Sequence, residues 1–126
     1  MAHPNAERYQ SMFTPGSTPD PEVLRDFLAP DVRWHEAGST ETMVGPDAVV
    51  ARMAGMGVGS TAEVSLDAVL ADDDHLIVVG HARMHRDDQE VSYQYVEYYT
   101  MQDGKVTERW SFMDAVPADV AAFFGG

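Results

Sequence analysis

Several side chains in this 126-residue chain have the types and spacing for proton transfer or for holding an anion. Glu36 follows Val32 and Trp34 on one side of a short extended stretch. That would put its carboxyl at the wall or mouth of a dry pocket, where poor solvation suits proton transfer. The plain alternative is a strand-end carboxylate in water. His81 stands in a valine-rich stretch, where an imidazole needs a hydrogen-bond partner. It could orient Glu36, shuttle a proton or donate to a substrate carbonyl, or it could be a satisfied core histidine. Arg83 and Arg109 share an alternating register with Gln94 and Tyr98. Arginine offers several fixed donors, so this set could bind a carboxylate, enolate or phenolate, or simply pair with buried acids. Tyr9 offers a hydroxyl to an oxyanion, Asp114 is a second acid, and Trp34 reads as pocket wall.

Other chemistry is disfavoured. His35, His81 and His85 are the residue type that binds metals, but His35 and Glu36 point to opposite sides of their strand and no His-x-x-x-His helix motif is present, so neither metal nor cofactor is expected. The sequence has no cysteine, which removes disulfides, thiolate nucleophiles and cysteine metal sites. With 21 acidic against 8 basic residues and a formal charge of -13, the average surface repels phosphate, so no nucleic acid and no anionic membrane is expected as partner. No stretch reaches the roughly 20 apolar residues of a membrane helix, and the first residues lack the apolar core of a signal peptide, so a cytoplasmic protein is expected. At 44% apolar residues the chain can bury a core, and its length suits a single domain over residues 1–126.

The elements that must position these groups can be read from periodicity. Asn5 can cap a helix reaching about Phe13, with Ala6, Tyr9 and Phe13 near one face. Asp20-Pro21-Glu22 is a helix start, Val23, Leu24, Phe27 and Leu28 form the apolar face, and Pro30 stops it. Asp31 to Glu36 reads as a strand, and Gly45-Pro46-Asp47 opens a third helix through about Met56, with Val49, Val50 and Met53 inward. Gly55, Gly57 and Gly59 end it.

From Thr61 the period becomes two. Ala62, Val64, Leu66, Ala68 and Leu70 alternate with Thr61, Glu63, Ser65, Asp67 and Val69. After turns at Asp72-Asp73-Asp74, Arg86 to Gln89 and Gln102-Asp103-Gly104 come strands His75 to His85, Val91 to Met101 and Lys105 to Asp114. Pro117 begins a short terminal helix that can return Val120, Phe123 and Phe124 to the body. Helices gathered before an antiparallel meander make the fold class α+β.

Two registers result. One holds Ala82, Met84, Tyr93, Tyr95, Glu97, Tyr99, Trp110 and Phe112. The other holds Val79, His81, Arg83, Gln94, Val96, Tyr98, Arg109, Ser111 and Met113. Alternation does not decide which faces the helices, and a bulge would exchange part of either set.

Phe27-Leu28-Ala29-Pro30-Asp31-Val32 leading into Trp34-His35-Glu36, then Gly45-Pro46-Asp47-Ala48-Val49 and Asp103-Gly104-Lys105-Val106-Thr107-Glu108-Arg109-Trp110, resemble the SnoaL-like and ketosteroid isomerase-like branch of the nuclear transport factor 2-like superfamily. The resemblance spans nearly the whole chain and implies a cone of helices on a strongly curved antiparallel sheet around a pocket. It also implies a homodimer through the outer sheet face. By that analogy the His81 register lines the pocket, while Tyr95, Tyr99 and Trp110 support the dimer. Glu36 matches the proton-moving carboxylate of ketosteroid isomerases and Tyr9 their helix-one tyrosine, whereas the second acid of the oxyanion pair falls at Val96. The last-strand acid of polyketide cyclases and limonene epoxide hydrolases falls near Ser111, leaving Asp114 to replace it only if it turns inward.

The expected function is a cofactor-independent isomerase or cyclase-like enzyme acting on a small hydrophobic or aromatic carbonyl compound. Glu36 would remove the proton, His81 or Tyr9 would donate to the enolate, and an arginine would hold a remote anionic group. An epoxide hydrolase-like enzyme is a variant, and a non-catalytic ligand-binding or dimerisation module of the same fold is the rival class.

Overall fold

Helix α1, Pro4–Met12, starts two residues earlier than a cap at Asn5 would place it, because Pro4 suits the first helical turn and His3 is the cap. The His3 ring accepts from the Asn5 backbone N–H at 3.1 Å. Asn5 itself is buried, and its amide donates to the Asp72 carbonyl at 3.2 Å, tying α1 to a distant turn. The computed structural model describes residues 3–13, 20–37, 40–57 and 61–114, apart from the side chains of 54–57, 61 and 62. Gly59 and the expected terminal helix with Val120, Phe123 and Phe124 lie outside the described residues.

Helix α2, Pro21–Phe27, begins as its sequence demands: the Asp20 carboxylate accepts from the Glu22 N–H at 2.8 Å. It buries Leu24 and Phe27, while Val23 stays exposed. Strand β1, Leu28–His35, follows without a break, three residues before the expected start. Pro30 is tolerated in it because the short strand β2, Thr42–Val44, pairs only with Arg33 to His35. At three residues, β2 is too short for its alternation to stand out in the sequence. Helix α3, Pro46–Gly57, buries Val49 and Val50. Strands β3, Thr61–Ala71, β4, His75–Arg86, β5, Gln89–Gln102, and β6, Lys105–Met113, complete a six-stranded sheet of order β2-β1-β6-β5-β4-β3. All neighbours are antiparallel except β1 and β6, which run parallel. Helices on one side of this curved, open sheet make an α+β cone of the nuclear transport factor 2-like kind. None of the described helices is long and apolar enough to cross a membrane.

Two bulges decide which side chains face the helices. At the β5–β6 hairpin, Asp103 and Gly104 both take positive φ, 53° and 78°, as a tight two-residue turn requires. The ladder starts with Gln102 opposite Lys105 and Met101 opposite Val106, but Thr100 then pairs with Glu108. Thr107 is the extra residue; its hydroxyl donates to the Thr100 carbonyl at 3.1 Å. One added residue turns every later side chain of β6 to the other face. In β3 the same happens at Asp67, between the pairs Leu66 with Gly80 and Ala68 with Val79. Leu66, Val69 and Ala71 therefore pack on the core, whereas Leu70, which alternation would put on the same face as Leu66, is 63% exposed.

The inner face, against the helices, thus carries Val32 and Trp34 of β1, Leu76, Val78 and Ala82 of β4, Tyr95, Glu97, Tyr99 and Met101 of β5, and Arg109 of β6. This reverses the expected assignment of β4 and β5: His81, Arg83, Gln94 and Tyr98 are on the outer face, and Tyr95 and Tyr99 are on the inner one. On β6, Arg109 is inner and Trp110 outer, as the resemblance implied. Arg109 and Tyr98 no longer share a face, because of the bulge at Thr107.

Candidate active site

Strand β5 reads Tyr93-Gln94-Tyr95-Val96-Glu97-Tyr98-Tyr99, so alternation sends one carboxylate inward among tyrosines. Helix α1 lies across that face, and Tyr9 donates its hydroxyl to Glu97 Oε1 at 2.7 Å. From β6, Arg109 donates through Nη2 to Glu97 Oε2, and through Nη1 to the His35 carbonyl at 3.4 Å. The guanidinium carbon sits 4.4 Å above the Trp34 ring, a cation on an aromatic face. Tyr99 meets both Trp34 and Tyr9 edge-on, with centroids at 6.0 and 5.8 Å. Trp34, Tyr9, Tyr99, Glu97 and Arg109 are all buried. Arg109 Nε is buried too and has no hydrogen-bond partner among the described residues.

Burial, then the Tyr99 phenol and the charge of Glu97, pushes the Tyr9 hydroxyl well above the usual tyrosine range, and burial followed by the charge of Glu97 does the same to Tyr99 against the opposing pull of Arg109. Tyr95 and Tyr93 are raised for the same first reason, burial, with Glu97 next. Burial acts to lower Arg109, but Glu97 beside it outweighs that and keeps the guanidinium above its ordinary value. The cluster therefore holds charged donors, neutral O–H donors and an acceptor carboxylate out of bulk water. Such an arrangement suits stabilisation of charge forming on a ligand oxygen.

Of the residues singled out in the sequence, Tyr9, Trp34 and Arg109 meet here. Glu36 does not join them; it lies at the end of β1, one-fifth exposed, accepting from Arg52 Nε of α3 at 2.9 Å. His81 is half exposed on the opposite sheet face, its Nδ1 3.1 Å from Asp67 Oδ2. The two cannot face one ligand, because the sheet stands between them. Arg83 is exposed near Glu90 at 3.5 Å. Gln94 and Asp114 close the end of the β5–β6 ladder, with the Gln94 N–H donating to Asp114 Oδ1 at 2.7 Å. Asp114 is exposed and does not turn inward. His81, Arg83, Gln94 and Asp114 share an open outer groove of about 530 Å³ with Glu63, Ser65 and Ser92. Tyr98 packs edge-on between His75 and Trp110 on the outer face. His35 is also outer, stacked on Trp110 and 2.6 Å from Glu108. Among the described residues no three His, Asp or Glu side chains are grouped to hold a metal ion.

Glu97 is the residue that sequence reasoning passed over. The resemblance placed the second acid at Val96, but Val96 faces outward and the next residue is the acid that Tyr9 reaches. Its signal was present as the sole acid in the aromatic run from Tyr93 to Tyr99, where a carboxylate needs partners. Ser111, at the expected place of the last-strand acid, pairs directly with Glu97 across the ladder.

The sequence model of the SnoaL-like domain matches residues 6–109. Among solved structures, a SnoaL-like protein from Jannaschia sp. CCS1 is 23% identical with a TM-score of 0.79, covering 97% of this chain and 92% of that one. A protein with a ketosteroid isomerase-like fold from Catenulispora acidiphila DSM 44928, solved with trimethylamine, is 13% identical with a TM-score of 0.72, covering 99% and 95%. An epoxide hydrolase of the LEH-like type from M. tuberculosis is 16% identical with a TM-score of 0.64, covering 84% and 75%. No curated protein matches the chain.

Proposed function

We propose, from the premise that this chain belongs to the SnoaL-like domain family, that it is a cofactor-independent acid-base enzyme acting on a small, mostly apolar carbonyl compound. One observation carries the reading: a carboxylate buried on the inner sheet face, held by Tyr9 and Arg109, beside a guanidinium N–H with no partner among the described residues. An unpaired buried donor costs about 1–3 kcal/mol, a cost that ligand binding relieves. In this reading the carbonyl oxygen takes Arg109 Nε–H, and the Tyr99 phenol, which keeps its proton, adds an O–H donor, while the Tyr9 O–H stays on Glu97. Glu97 accepts the proton from the carbon beside the carbonyl. A carboxylate has about four lone-pair sites, and Tyr9 and Arg109 occupy one on each oxygen. Where a C=C extends the enolate, returning the proton from Glu97 to its far carbon gives isomerisation; where the substrate carries a second carbonyl, the enolate carbon attacks it and the alkoxide so formed takes the proton back from Glu97, giving cyclisation. The charges of Glu97 and Arg109 cancel, which favours an uncharged substrate.

Proton abstraction can be tested on model ketones, whatever the natural substrate. Small cyclic ketones are incubated with the protein in D2O, and exchange of the α-hydrogens is followed by NMR. The expected result is exchange well above the buffer rate, falling at least about 100-fold in Glu97→Gln and about tenfold in Tyr9→Phe. A protein that exchanges no ketone, or a Glu97→Gln variant of full activity, overturns it. A second reading, a binding module without chemistry, is favoured by the depth of burial of the whole cluster. Ketones that bind without exchanging would establish it. An epoxide hydrolase-like route is less supported, since the cluster holds a single carboxylate and offers no second acid to polarise an epoxide.

The same reading includes a homodimer through the outer sheet face. Leu70, Ile77, Val96 and Phe112 are exposed there, and the cross-strand pairs of Leu70 with Ile77 and Val96 with Phe112 make them neighbours. Light scattering is expected to give twice the chain mass, and Phe112→Asp to give the single-chain mass with an unchanged circular dichroism spectrum. A monomeric parent protein removes the dimer.

A further inference from the structure

Gly80 lies in β4 with Tyr95 opposite it on β5 and Leu66 opposite it on β3. Its φ is not in the left-handed region, so its backbone conformation does not require glycine. The requirement is spatial. A Cβ built on Gly80 would stand 2.7 Å from the Tyr95 hydroxyl oxygen, 2.8 Å from Tyr95 Cζ and 2.8 Å from the Ser65 carbonyl oxygen. Real side-chain carbons do not approach that closely. The end of the Tyr95 ring therefore occupies the place of the missing side chain, lying across β4 toward β3.

Tyr95 is on the inner face, two residues before Glu97, and packs against the core. Its neighbour Tyr93 is tilted beside it at 6.1 Å and donates to Met84 Sδ at 3.5 Å, so this end of the sheet is lined by rings. If a methyl group stood at position 80, the phenol could not stay over β4. The sheet blocks one side, so the ring would swing away from it, toward the helices on the side where Glu97 lies.

We infer that Gly80 determines the size of ligand the inner-face site accepts, by letting Tyr95 lie flat across β4. The inference rests on the inner face being the ligand site, and it names a specificity-determining position within it. Neither Gly80 nor Tyr95 takes part in the proton chemistry.

Benzene and naphthalene are suitable probes because they have shape without a carbonyl. Binding to the parent protein and variants is followed by NMR shifts of labelled tyrosine and methionine side chains. The parent protein is expected to bind both. Gly80→Ala is expected to keep benzene and to bind naphthalene at least about tenfold more weakly, with the Tyr95 ring signals displaced. The double variant Gly80→Ala, Tyr95→Ala is expected to recover naphthalene binding. Because the added carbon also approaches the Ser65 carbonyl, Gly80→Ala alone could fail to fold; Tyr95→Ala in the Gly80 background is then decisive, and should bind naphthalene more tightly than the parent. The inference is overturned if the parent binds neither hydrocarbon, if Gly80→Ala keeps the parent's size preference, if the double variant recovers nothing, or if Tyr95→Ala leaves naphthalene affinity unchanged. Hydrocarbon binding that shifts as expected, with no ketone exchange, would sink the enzymatic reading and leave this one standing.

Discussion

Above pH 10 the protein is expected to lose stability at about 3 kcal/mol per pH unit, the share of two tyrosines at about 1.4 kcal/mol each. In the unfolded chain Tyr9 and Tyr99 ionise near the usual value of 10. In the folded chain burial, and then the negative charge nearby, keep both protonated well beyond it. Between those limits the unfolded state holds fewer protons than the folded one, so raising the pH favours unfolding. Below pH 10 their contribution is complete and flat. Tyr95 and Tyr93, raised for the same reason, steepen the fall. Urea midpoints between pH 8 and 11.5, read with the tyrosinate absorbance at about 295 nm, test this. Tyr9→Phe should remove one tyrosine's share of the slope. A folded protein whose buried tyrosines titrate near pH 10 would show that the inner face is wet.

Replacing Glu97 by Ala should destabilise the fold by about 3–5 kcal/mol, because it leaves the buried Arg109 cation without its counter-charge and the Tyr9 hydroxyl without its acceptor. Glu97→Gln keeps the volume and an acceptor oxygen for one of the two donors, and should cost less. The pair Glu97→Ala, Arg109→Met should recover most of the loss, since removing both charges removes the desolvation that each imposes on the other. Urea unfolding at pH 7 with an unchanged m value decides it. A loss under about 1 kcal/mol for Glu97→Ala would mean that water reaches Arg109 and that the carboxylate is not enclosed. The same variants separate structure from chemistry. Glu97→Gln should fold and fail to exchange ketones, whereas the double variant should fold and show no proton chemistry at all.

The homodimer and the inner-face site would occupy opposite faces of one sheet, so a surface change such as Phe112→Asp should leave the Glu97 cluster intact. The cluster itself is assembled from far apart in the chain. Tyr9 comes from the first helix, Trp34 from the strand after α2, Glu97 from β5 and Arg109 from β6. Burying a charged pair of this kind is tolerable only where each oxygen and most N–H groups find partners, and here Arg109 Nε–H is the one group of the pair without a partner among the described residues.

Features set by neighbouring residues were legible in the sequence. Asp20 before Pro21, the Asp103-Gly104 turn and the change from a period of about four to a period of two at Thr61 each act over a few residues of backbone, and each appears in the fold. Even the small error at the first helix, where His3 and not Asn5 is the cap, was one of competing local partners. Sheet faces are a different matter. Both sides of β4 and β5 carry large side chains, so alternation marks two faces without saying which is inside, and the bulges at Asp67 and Thr107 then exchange them partway along β3 and β6. A strand's parity is local, but the position where it slips depends on pairing with a partner strand. Only the packing of α1 against β5 decided that Glu97 is inside with Tyr9 and that His81 is outside with Asp67. The composition and order of residues thus determined the elements, while tertiary contact determined which of their faces meet, because one residue's shift in register moves every later side chain to the opposite side of the sheet.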